Sequence, residues 1–150
     1  MLILHQPNYK TMKITIYQTD FKTDFIAIEL IRDTVFIQEQ NIPVEMEWDE
    51  FDQQAIHIIA QVQGQTVGTA RLLDNGSIGR VAVLKPWRKK GVGYKMMRYL
   101  MDLAKHQKHA SIHLHAQVVA LEFYQKLGFV TVGDIFDEAG IPHQTAFCHF

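Results

Sequence analysis

Three basic residues followed by two glycines, in the run Arg88-Lys89-Lys90-Gly91-Val92-Gly93, have the types and spacing of an anion-binding turn. The apolar run Val81-Ala82-Val83-Leu84 precedes them and indicates a strand, and a long helical pattern follows them. The first N–H groups of a helix lack partners inside the helix, and the helix dipole favours negative charge there. Glycines also let the backbone approach a ligand closely. The segment therefore predicts a site for a phosphate or pyrophosphate group.

Two common phosphate-binding motifs do not fit this segment. The chain contains no G-x-x-x-x-G-K-[ST] sequence, which excludes a Walker A loop, and no G-x-G-x-x-G sequence, which disfavours a Rossmann dinucleotide site. Basic residues at a helix start are also frequent on ordinary solvated surfaces. The nature of the site therefore depends on what else the chain carries.

A second block with chemical potential lies between residues 111 and 129. Residues 111–116 alternate in the manner of a strand. An apolar helix face with i, i+3, i+4, i+7 spacing follows, made of Ala120, Phe123, Tyr124 and Leu127. Gly128 stands where a left-handed residue would end that helix.

Together the two blocks resemble the GCN5-related N-acetyltransferase (GNAT) superfamily, in particular a bacterial subgroup of acetyltransferases. The resemblance rests on R-x-x-G-x-G at the start of one helix and on F-Y-x-K-x-G-F at residues 123–129. It covers nearly the whole chain, from Met12 to Phe150. Two further segments, Phe36-Ile37-Gln38-Glu39-Gln40 and Gly140-Ile141-Pro142-His143, also resemble segments of that subgroup.

The resemblance implies an α/β (α+β) fold with a mixed, mainly antiparallel sheet flanked by helices and splayed between the strands Ser77–Leu84 and Ser111–Ala116. It implies acetyl-CoA as the co-substrate and a primary amine of a small molecule or peptide as the acceptor, with direct attack and no acyl-enzyme. Backbone groups left free where the strands part would bind the pantetheine arm. Gln117 stands where many members carry an asparagine that contacts the cofactor or caps the next helix. The residues implied for acetyl-CoA are Val81, Ala82, Val83, Arg88, Lys89, Lys90, Gly91, Val92, Gly93, Tyr94, Gln117 and Ala120.

Tyr124 matches the tyrosine that serves the family as general acid. A phenol with a pKa of about 10 stays protonated at neutral pH and can protonate the departing thiolate. The general base is open: Glu39 acts directly or through water, and His143 is the other candidate because histidine changes charge near neutral pH. Asp49 and Asp52, in an acidic loop, either attract a cationic amine or are exposed residues without a role.

Composition excludes several classes of protein. A net charge of −1 over 150 residues gives no general attraction to nucleic acid or to membranes, and we expect neither partner. The one cysteine, Cys148, excludes an internal disulfide framework and a four-cysteine zinc site.

His113 and His115 share a strand face, but spacing places no third ligand beside them, so we expect no metal. No membrane span or signal peptide is recognisable, which predicts a cytoplasmic protein, and a homodimer is left open because family members often dimerise.

The hydrophobic pattern predicts the element order β-α-β-β-β-α-β-α-β-β in one domain over residues 12–150. Residues 1–11 are expected to be a flexible leader or an over-long start. Residues 24–37 and 91–108 are predicted as helices, the second with a buried face of Val92, Met96, Leu100, Leu103 and Ala104. Two loops are predicted, residues 41–54 with five acids and residues 133–145 between the last two strands.

Two other functions, an acyl-CoA sensor and an RNA-binding protein, would use the same basic turn. A non-catalytic acyl-CoA-binding sensor or regulatory module needs residues 88–93 but not Tyr124, so the tyrosine favours an enzyme. An RNA-binding protein that uses the basic helix start is disfavoured, because only Trp87 and Tyr94 are interleaved with the basic residues.

Overall fold

The computed structural model describes residues 12–150, and the predicted leader at residues 1–11 lies outside the described residues. The strands are β1 (Ile14–Thr19), β2 (Ile56–Val62), β3 (Gln65–Leu72), β4 (Ile78–Val83), β5 (Ser111–Gln117), β6 (Val130–Glu138) and β7 (Ile141–His149). The helices are α1 (Phe25–Arg32), α2 (Val44–Glu47), α3 (Val92–His106) and α4 (Leu121–Lys126). A π-helical turn at Asp33–Glu39 continues α1, and 3-10 turns lie at Glu50–Gln53, Lys85–Trp87 and Val118–Ala120. Apart from α2 and these turns, the order of elements confirms the predicted one.

The strands form two antiparallel sheets that meet at a gap. One sheet has the order β1-β2-β3-β4 and the other has the order β5-β7-β6. Within residues 12–150 a single parallel bridge, between Ser77 and His113, joins the edge of β4 to the edge of β5. The gap confirms the predicted splay between the fourth and fifth strands. It leaves backbone N–H and C=O groups along both facing edges without a strand partner.

A bulge bends β4 next to this gap. The register between β3 and β4 shifts between Thr69 and Arg71, where Ala70 faces two residues, Arg80 and Val81. Arg80 has a φ of +53°, in the left-handed region that residues with side chains rarely adopt. A bulge bends its strand and increases the local twist. The bulge therefore turns β4 out of the line that pairing with β5 would require.

Helix α3 supplies the largest apolar face of the core. The predicted face is confirmed, since these residues are buried: Val92, Met96, Leu100 and Ala104; Leu103 is half-buried. The first sheet approaches this helix closely at Gly68. A Cβ at Gly68 would lie 2.7 Å from Sδ of Met96 and 3.0 Å from the carbonyl oxygen of Ala82. A larger residue at this position would therefore have to displace Met96 and press on the β4 backbone, so glycine permits the close approach of helix and strand.

The first predicted helix differs from the prediction in its second half. α1 ends at Arg32, and Asp33–Glu39 forms a π-helical turn instead of continuing as α-helix to residue 37. The turn closes with an N–H···O bond of 3.2 Å from Gln40 to Val35, five residues apart. Apolar periodicity does not distinguish such a turn from an α-helix. π-Turns are frequent at functional sites.

The prediction of a loop over residues 133–145 is wrong, because this segment is almost entirely strand. β6 extends to Glu138 and β7 begins at Ile141, so only Ala139 and Gly140 connect them. Both connecting residues have positive φ, +55° and +80°, which is the geometry of a two-residue hairpin turn. The pair Ala-Gly lacks the Asn-Gly or Asp-Gly signature of such turns, which explains why sequence reasoning misses it.

The prediction of a loop over residues 41–54 is also wrong. The segment contains α2 and the 3-10 turn Glu50–Gln53. Its acids are not all exposed either, because Glu47 is 2% exposed and Asp52 is 1% exposed. Carboxylates are almost never buried to this extent unless they are paired, and their partners are described with the site.

Candidate active site

A cleft of about 540 Å³ opens between the facing edges of β4 and β5. Five of the residues predicted for the site line it: Val81, Gln117, Ala120, Tyr124 and His143. Glu39 and the basic turn at residues 88–94 are not among its lining residues in the described chain. The structure therefore brings together the predicted acid and one of the two predicted bases, and it places the other base elsewhere.

The strand segment predicted to hold the cofactor presents its backbone to the gap. Val81 lines the cleft, whereas Ala82 is buried with Ile31 and Val35 in a small apolar cluster. Alternate side chains of a strand point to opposite faces. The backbone groups of successive strand residues point to opposite edges, so those of Ala82 face β3 and those of Val83 face the gap, where the Val83 carbonyl accepts from Arg88 Nε at 2.8 Å.

The predicted anion-binding turn has donors without acceptors in the helix. Gly91, the residue before α3, has a φ of +86°, and no side chain caps the helix there. Lys95 donates to the Gly91 carbonyl at 3.1 Å as the first regular bond of the helix. The N–H groups of Val92, Gly93 and Tyr94 precede it and have no acceptor within the helix. This arrangement fits a phosphate or pyrophosphate.

Side chains around this turn differ in what they offer an anion. Lys89 is exposed and has a φ of +62°, while Lys90 Nζ contacts the Pro86 carbonyl and lies 5.9 Å from the centre of the Trp87 ring. Gly93 has an ordinary φ, and a Cβ there would lie 3.4 Å from Cζ of Phe123. Gly93 thus serves the packing of α3 against α4, whereas Gly91 serves the backbone conformation.

Glu39 forms a two-pronged ion pair with Arg88. The oxygen–nitrogen distances are 2.6 and 2.8 Å, and the Arg88 Nε donates to the carbonyl of Val83 at 2.8 Å. The hydrogen bonds from Arg88 hold the pKa of the Glu39 carboxyl below its usual range. The Arg88 side chain therefore joins the π-helical turn to the end of β4 and is not free for an anion, and its backbone N–H donates to the Lys85 carbonyl at 3.3 Å.

Tyr124 is set in an aromatic environment at the base of the cleft. Its ring packs edge-on against Phe123 and Phe129, with centroids 5.0 and 5.8 Å apart. The residue is only 8% exposed, and burial raises the pKa of its phenol to about 12. No residue of the described chain accepts or donates a hydrogen bond at its hydroxyl. The hydroxyl is therefore protonated at neutral pH and available to a ligand.

His143 lies on β7 directly opposite Gln117 of β5. Its Nδ1 is 2.7 Å from the Ile141 carbonyl oxygen, so the proton of a neutral ring belongs on Nδ1 and the lone pair on Nε2. Nε2 lies 3.6 Å from Oε2 of Glu138, and Oε1 of Glu138 lies 3.1 Å from Nδ1 of His115. Sequence reasoning misses Glu138, because only the register of the β6–β7 hairpin places it between the two imidazoles.

Gln117 pairs with Gln40 across the cleft. Gln117 Nε2 donates to Gln40 Oε1 at 2.9 Å, and Gln40 Nε2 donates back to Gln117 Oε1 at 3.4 Å. Gln117 makes no capping bond to the turn that follows it. The two amides, 77 residues apart in the chain, therefore tie the π-helical turn to the end of β5.

A buried ion-pair network replaces the predicted exposed acidic loop. Arg32 lies 2.8 Å from Glu47 and 2.7 Å from Asp52, and Arg71 lies 2.6 Å from Asp49 and 2.8 Å from Asp52. Burial alone would raise the pKa of Asp52, but the hydrogen bonds and charges of Arg32 and Arg71 outweigh it and the pKa is lowered. Asp52 is therefore buried instead of exposed, and both Asp49 and Asp52 have arginine partners. That they attract a cationic amine stays a prediction.

Arg80 completes this network from the bulge in β4. Its guanidinium donates to the Glu47 carbonyl oxygen at 3.1 and 3.2 Å and to Asp49 Oδ2 at 3.2 Å. Three arginines thus meet three carboxylates, so the network is close to neutral as a whole. It connects the segment after α2 to the strand beside the cleft.

Neither a metal centre nor a membrane span is found within residues 12–150. No three His, Cys, Asp or Glu side chains of this part of the chain could hold a metal ion together. His113 instead stacks on Phe147, with ring centroids 5.3 Å apart. None of the described helices has the length and apolar character needed to cross a membrane.

Known proteins share both the sequence and the fold. The family model for an acetyltransferase (GNAT) domain matches residues 22–146. The chain is 37% identical over 117 residues to the uncharacterized N-acetyltransferase YjcF of Bacillus subtilis, covering 75% of this chain and 84% of YjcF. Escherichia coli ElaA superposes with a TM-score of 0.81 and 27% identity, over 90% of this chain and 99% of ElaA. An acyl-CoA N-acyltransferase from Pseudomonas aeruginosa superposes with a TM-score of 0.79 and 28% identity, over 92% of this chain and 99% of that one.

Proposed function

Because this chain belongs to the GNAT acetyltransferase family and is an N-acetyltransferase, we propose that it transfers an acetyl group from acetyl-CoA to a primary amine of a small molecule or peptide. The observation that carries this proposal is the cleft between the unpaired edges of β4 and β5, with Tyr124 and its hydroxyl, unpartnered within the described chain, in the cleft lining. A non-catalytic acyl-CoA sensor has no use for that tyrosine, and nothing in the cleft favours such a sensor.

The residues that would hold acetyl-CoA belong to three parts of the chain, namely the turn before α3, the edge of β4 and the segment at the end of β5. The N–H groups of Val92, Gly93 and Tyr94 are matched to its pyrophosphate, with the exposed Lys89 supplying local positive charge. The edge of β4 at residues 81–83 would pair with the amide groups of the pantetheine arm, which satisfies backbone groups that are otherwise costly to leave unpaired. Gln117 and Ala120 border the same path, and the Gln117 amide would exchange its Gln40 partner for the ligand.

In the proposed reaction the amine nitrogen attacks the thioester carbonyl carbon, a C–N bond forms and the C–S bond breaks. One proton leaves the amine for a base, and the departing sulfur takes one from Tyr124. A phenol with a pKa near 12 is a weak acid, but burial disfavours a thiolate for the same reason that it disfavours a phenolate. Tyr124 first stabilises the developing charge by donating a hydrogen bond and gives up its proton as the C–S bond breaks.

The geometry favours His143 over Glu39 as the base. His143 lines the cleft, and its Nε2 carries the lone pair because Nδ1 donates to Ile141. Glu39 is outside the cleft lining, and Arg88 lowers its pKa, so it is a weaker proton acceptor. Oε2 of Glu138 lies 3.6 Å from Nε2 of His143. The other charged or titratable residues of the described chain that line the same cleft are His115, Tyr124, Glu47, Asp49, Arg71 and Arg80.

The test is the release of free CoA thiol from acetyl-CoA in the presence of polyamines, aminoglycosides, amino acids and peptide N-termini. We expect amine-dependent release whose kcat/KM rises with pH. The variant His143→Gln should flatten that rise, whereas Glu39→Gln should leave it in place. The reverse result would return the base to Glu39, and two unaffected profiles would indicate an ordered water. Release that no amine stimulates would contradict acetyl transfer to amines.

The cytoplasmic location and the homodimer stay predictions.

A further inference from the structure

The carboxylates that line the cleft differ in how they are neutralised. Glu47 and Asp49 each have arginine partners from the buried network. Glu138 has only imidazole neighbours within the described chain, and its side chain is 47% exposed. Glu138 is therefore the one carboxylate of the cleft, among residues 12–150, whose charge no arginine or lysine compensates.

Glu138 and His143 face each other through two hydrogen-bond acceptors. In a neutral His143 ring, the Nδ1–H group donates a hydrogen bond to the Ile141 carbonyl oxygen, and Nε2 carries the lone pair. That lone pair and Oε2 of Glu138 are 3.6 Å apart, and neither atom is a donor while the ring is neutral. The other oxygen, Oε1, is already bonded to His115 and is held in place by it. A ligand with several N–H donors would satisfy both acceptors together.

We propose that Glu138 and His143 form the binding site for the ammonium group of the acceptor, which is a primary amine with an apolar aliphatic or aromatic body. The inference rests on the proposed function and assigns the acceptor side of that reaction. One N–H donates to Oε2 of Glu138 and another to Nε2 of His143. The proton on the second passes to Nε2 and from there to solvent, while the Nδ1 proton keeps its hydrogen bond to the Ile141 carbonyl oxygen. The neutral amine then attacks, and Nε2 takes the second proton that the nitrogen loses as the C–N bond forms.

The apolar body is assigned from apolar side chains that line the same cleft as the charged pair. Met46 and Phe51 both line the cleft and are 50% and 49% exposed, so their apolar surface is available to a ligand there. Ile42 and Leu73 add to the same lining. A single ammonium with an apolar chain matches one uncompensated carboxylate and an apolar rim, whereas a polyamine leaves its further charges unpaired.

Direct binding tests this site independently of turnover, with phenethylamine and its neutral counterpart 2-phenylethanol as probes in an NMR titration of the histidine ring signals. We expect phenethylamine to bind several-fold more tightly and to shift the His143 and His115 rings. Glu138→Gln should weaken phenethylamine binding by roughly 3- to 10-fold, which is less than the loss of a buried charged hydrogen bond because Glu138 is half exposed. The matched control is Glu45→Gln, which removes the same charge from α2 outside the cleft and should change the affinity less than about twofold.

Kinetics give a second, separate readout. In Glu138→Gln the KM for the amine should rise by the same factor as the dissociation constant, while the KM for acetyl-CoA stays within about twofold. Equal affinity for phenethylamine and 2-phenylethanol, or equal effects of Glu138→Gln and Glu45→Gln, would overturn the assignment. Phenethylamine binding that depends on Glu138 without amine-dependent thiol release would uphold this site and reject acetyl transfer instead.

Discussion

The strained backbone at Arg80 leads to a prediction about the sign of a stability difference. At an ordinary strand position alanine is more stable than glycine by about 0.5–1 kcal/mol. At Arg80 the φ of +53° destabilises the folded state by about 1–2 kcal/mol for any residue with a Cβ, and glycine is free of this strain. In the opposite direction, the unfolded chain has less conformational entropy with alanine than with glycine, which favours folding of the alanine variant by about 0.4–1 kcal/mol. We therefore expect Arg80→Gly to be more stable than Arg80→Ala by about 0.5–1 kcal/mol.

Both variants also lose the contacts of the guanidinium. Arg80 donates to Glu47 and Asp49 at 3.1–3.2 Å, and its side chain is 26% exposed. Loss of these charge-assisted bonds should cost about 2 kcal/mol, near the lower end for charged groups because of the exposure. Since native Arg80 already carries the backbone strain, Arg80→Ala should lose about 2 kcal/mol and Arg80→Gly about 1 kcal/mol of unfolding free energy.

Urea unfolding at pH 7 measures both differences, provided that the slope with denaturant is the same in all variants. Thr15, an exposed residue of β1, supplies the control, because there Thr15→Ala should be more stable than Thr15→Gly. If alanine were as stable as glycine at residue 80, the backbone there would not be held in a left-handed conformation. The account of the bulge that separates β4 from β5 would then fail.

Three further predictions concern the acid, the anion-binding turn and pH. Tyr124→Phe should lower kcat on the order of a hundred-fold, with the calorimetric affinity for acetyl-CoA unchanged, and full activity would assign protonation of the sulfur to another group. Gly91→Val should weaken acetyl-CoA binding in calorimetry more than Gly93→Ala does, because only Gly91 has a positive φ, and equal affinities would contradict the assigned roles. Burial holds the pKa of His57 below 6.5 in the folded protein. Its contribution to stability is therefore complete above the unfolded pKa of about 6.5 and is lost as pH falls through the lower folded pKa. The urea concentration at the unfolding midpoint should fall between pH 7 and pH 5, and it should fall less in His57→Gln. An equal fall in both proteins would show that His57 is not the source of this pH dependence.

The sequence predicts those elements whose pattern is local. The buried face of α3 follows from the 3.6-residue period, and the left-handed residue that ends α4 follows from Gly128, which has a φ of +100°. Tyr124 follows from the family resemblance, and burial in the core agrees with its place on an apolar helix face. These features depend on neighbours within one or two turns of the chain.

The features that the sequence does not reveal depend on distant partners. Glu47 and Asp52 look like loop acids because the arginine that buries them is 15 and 20 residues away, with no period to indicate the pairing. Glu138 and His143 meet only because of a tight Ala-Gly turn, and the Gln40–Gln117 pair spans 77 residues. Such contacts follow from register and topology rather than from composition.

The division of the sheet also affects how the protein avoids pairing with other chains. Among the described residues the two sheets have four strand edges, where one unbroken sheet would have two. Exposed strand edges are templates for aggregation. The edges of β4 and β5 face each other across a cleft, so a strand of another molecule would have to open the fold to reach them. Only the outer edges stay accessible, and the one on β6 carries exposed Val130, Val132 and Ile135. The cleft thus offers a small ligand a strand edge that it withholds from another protein chain.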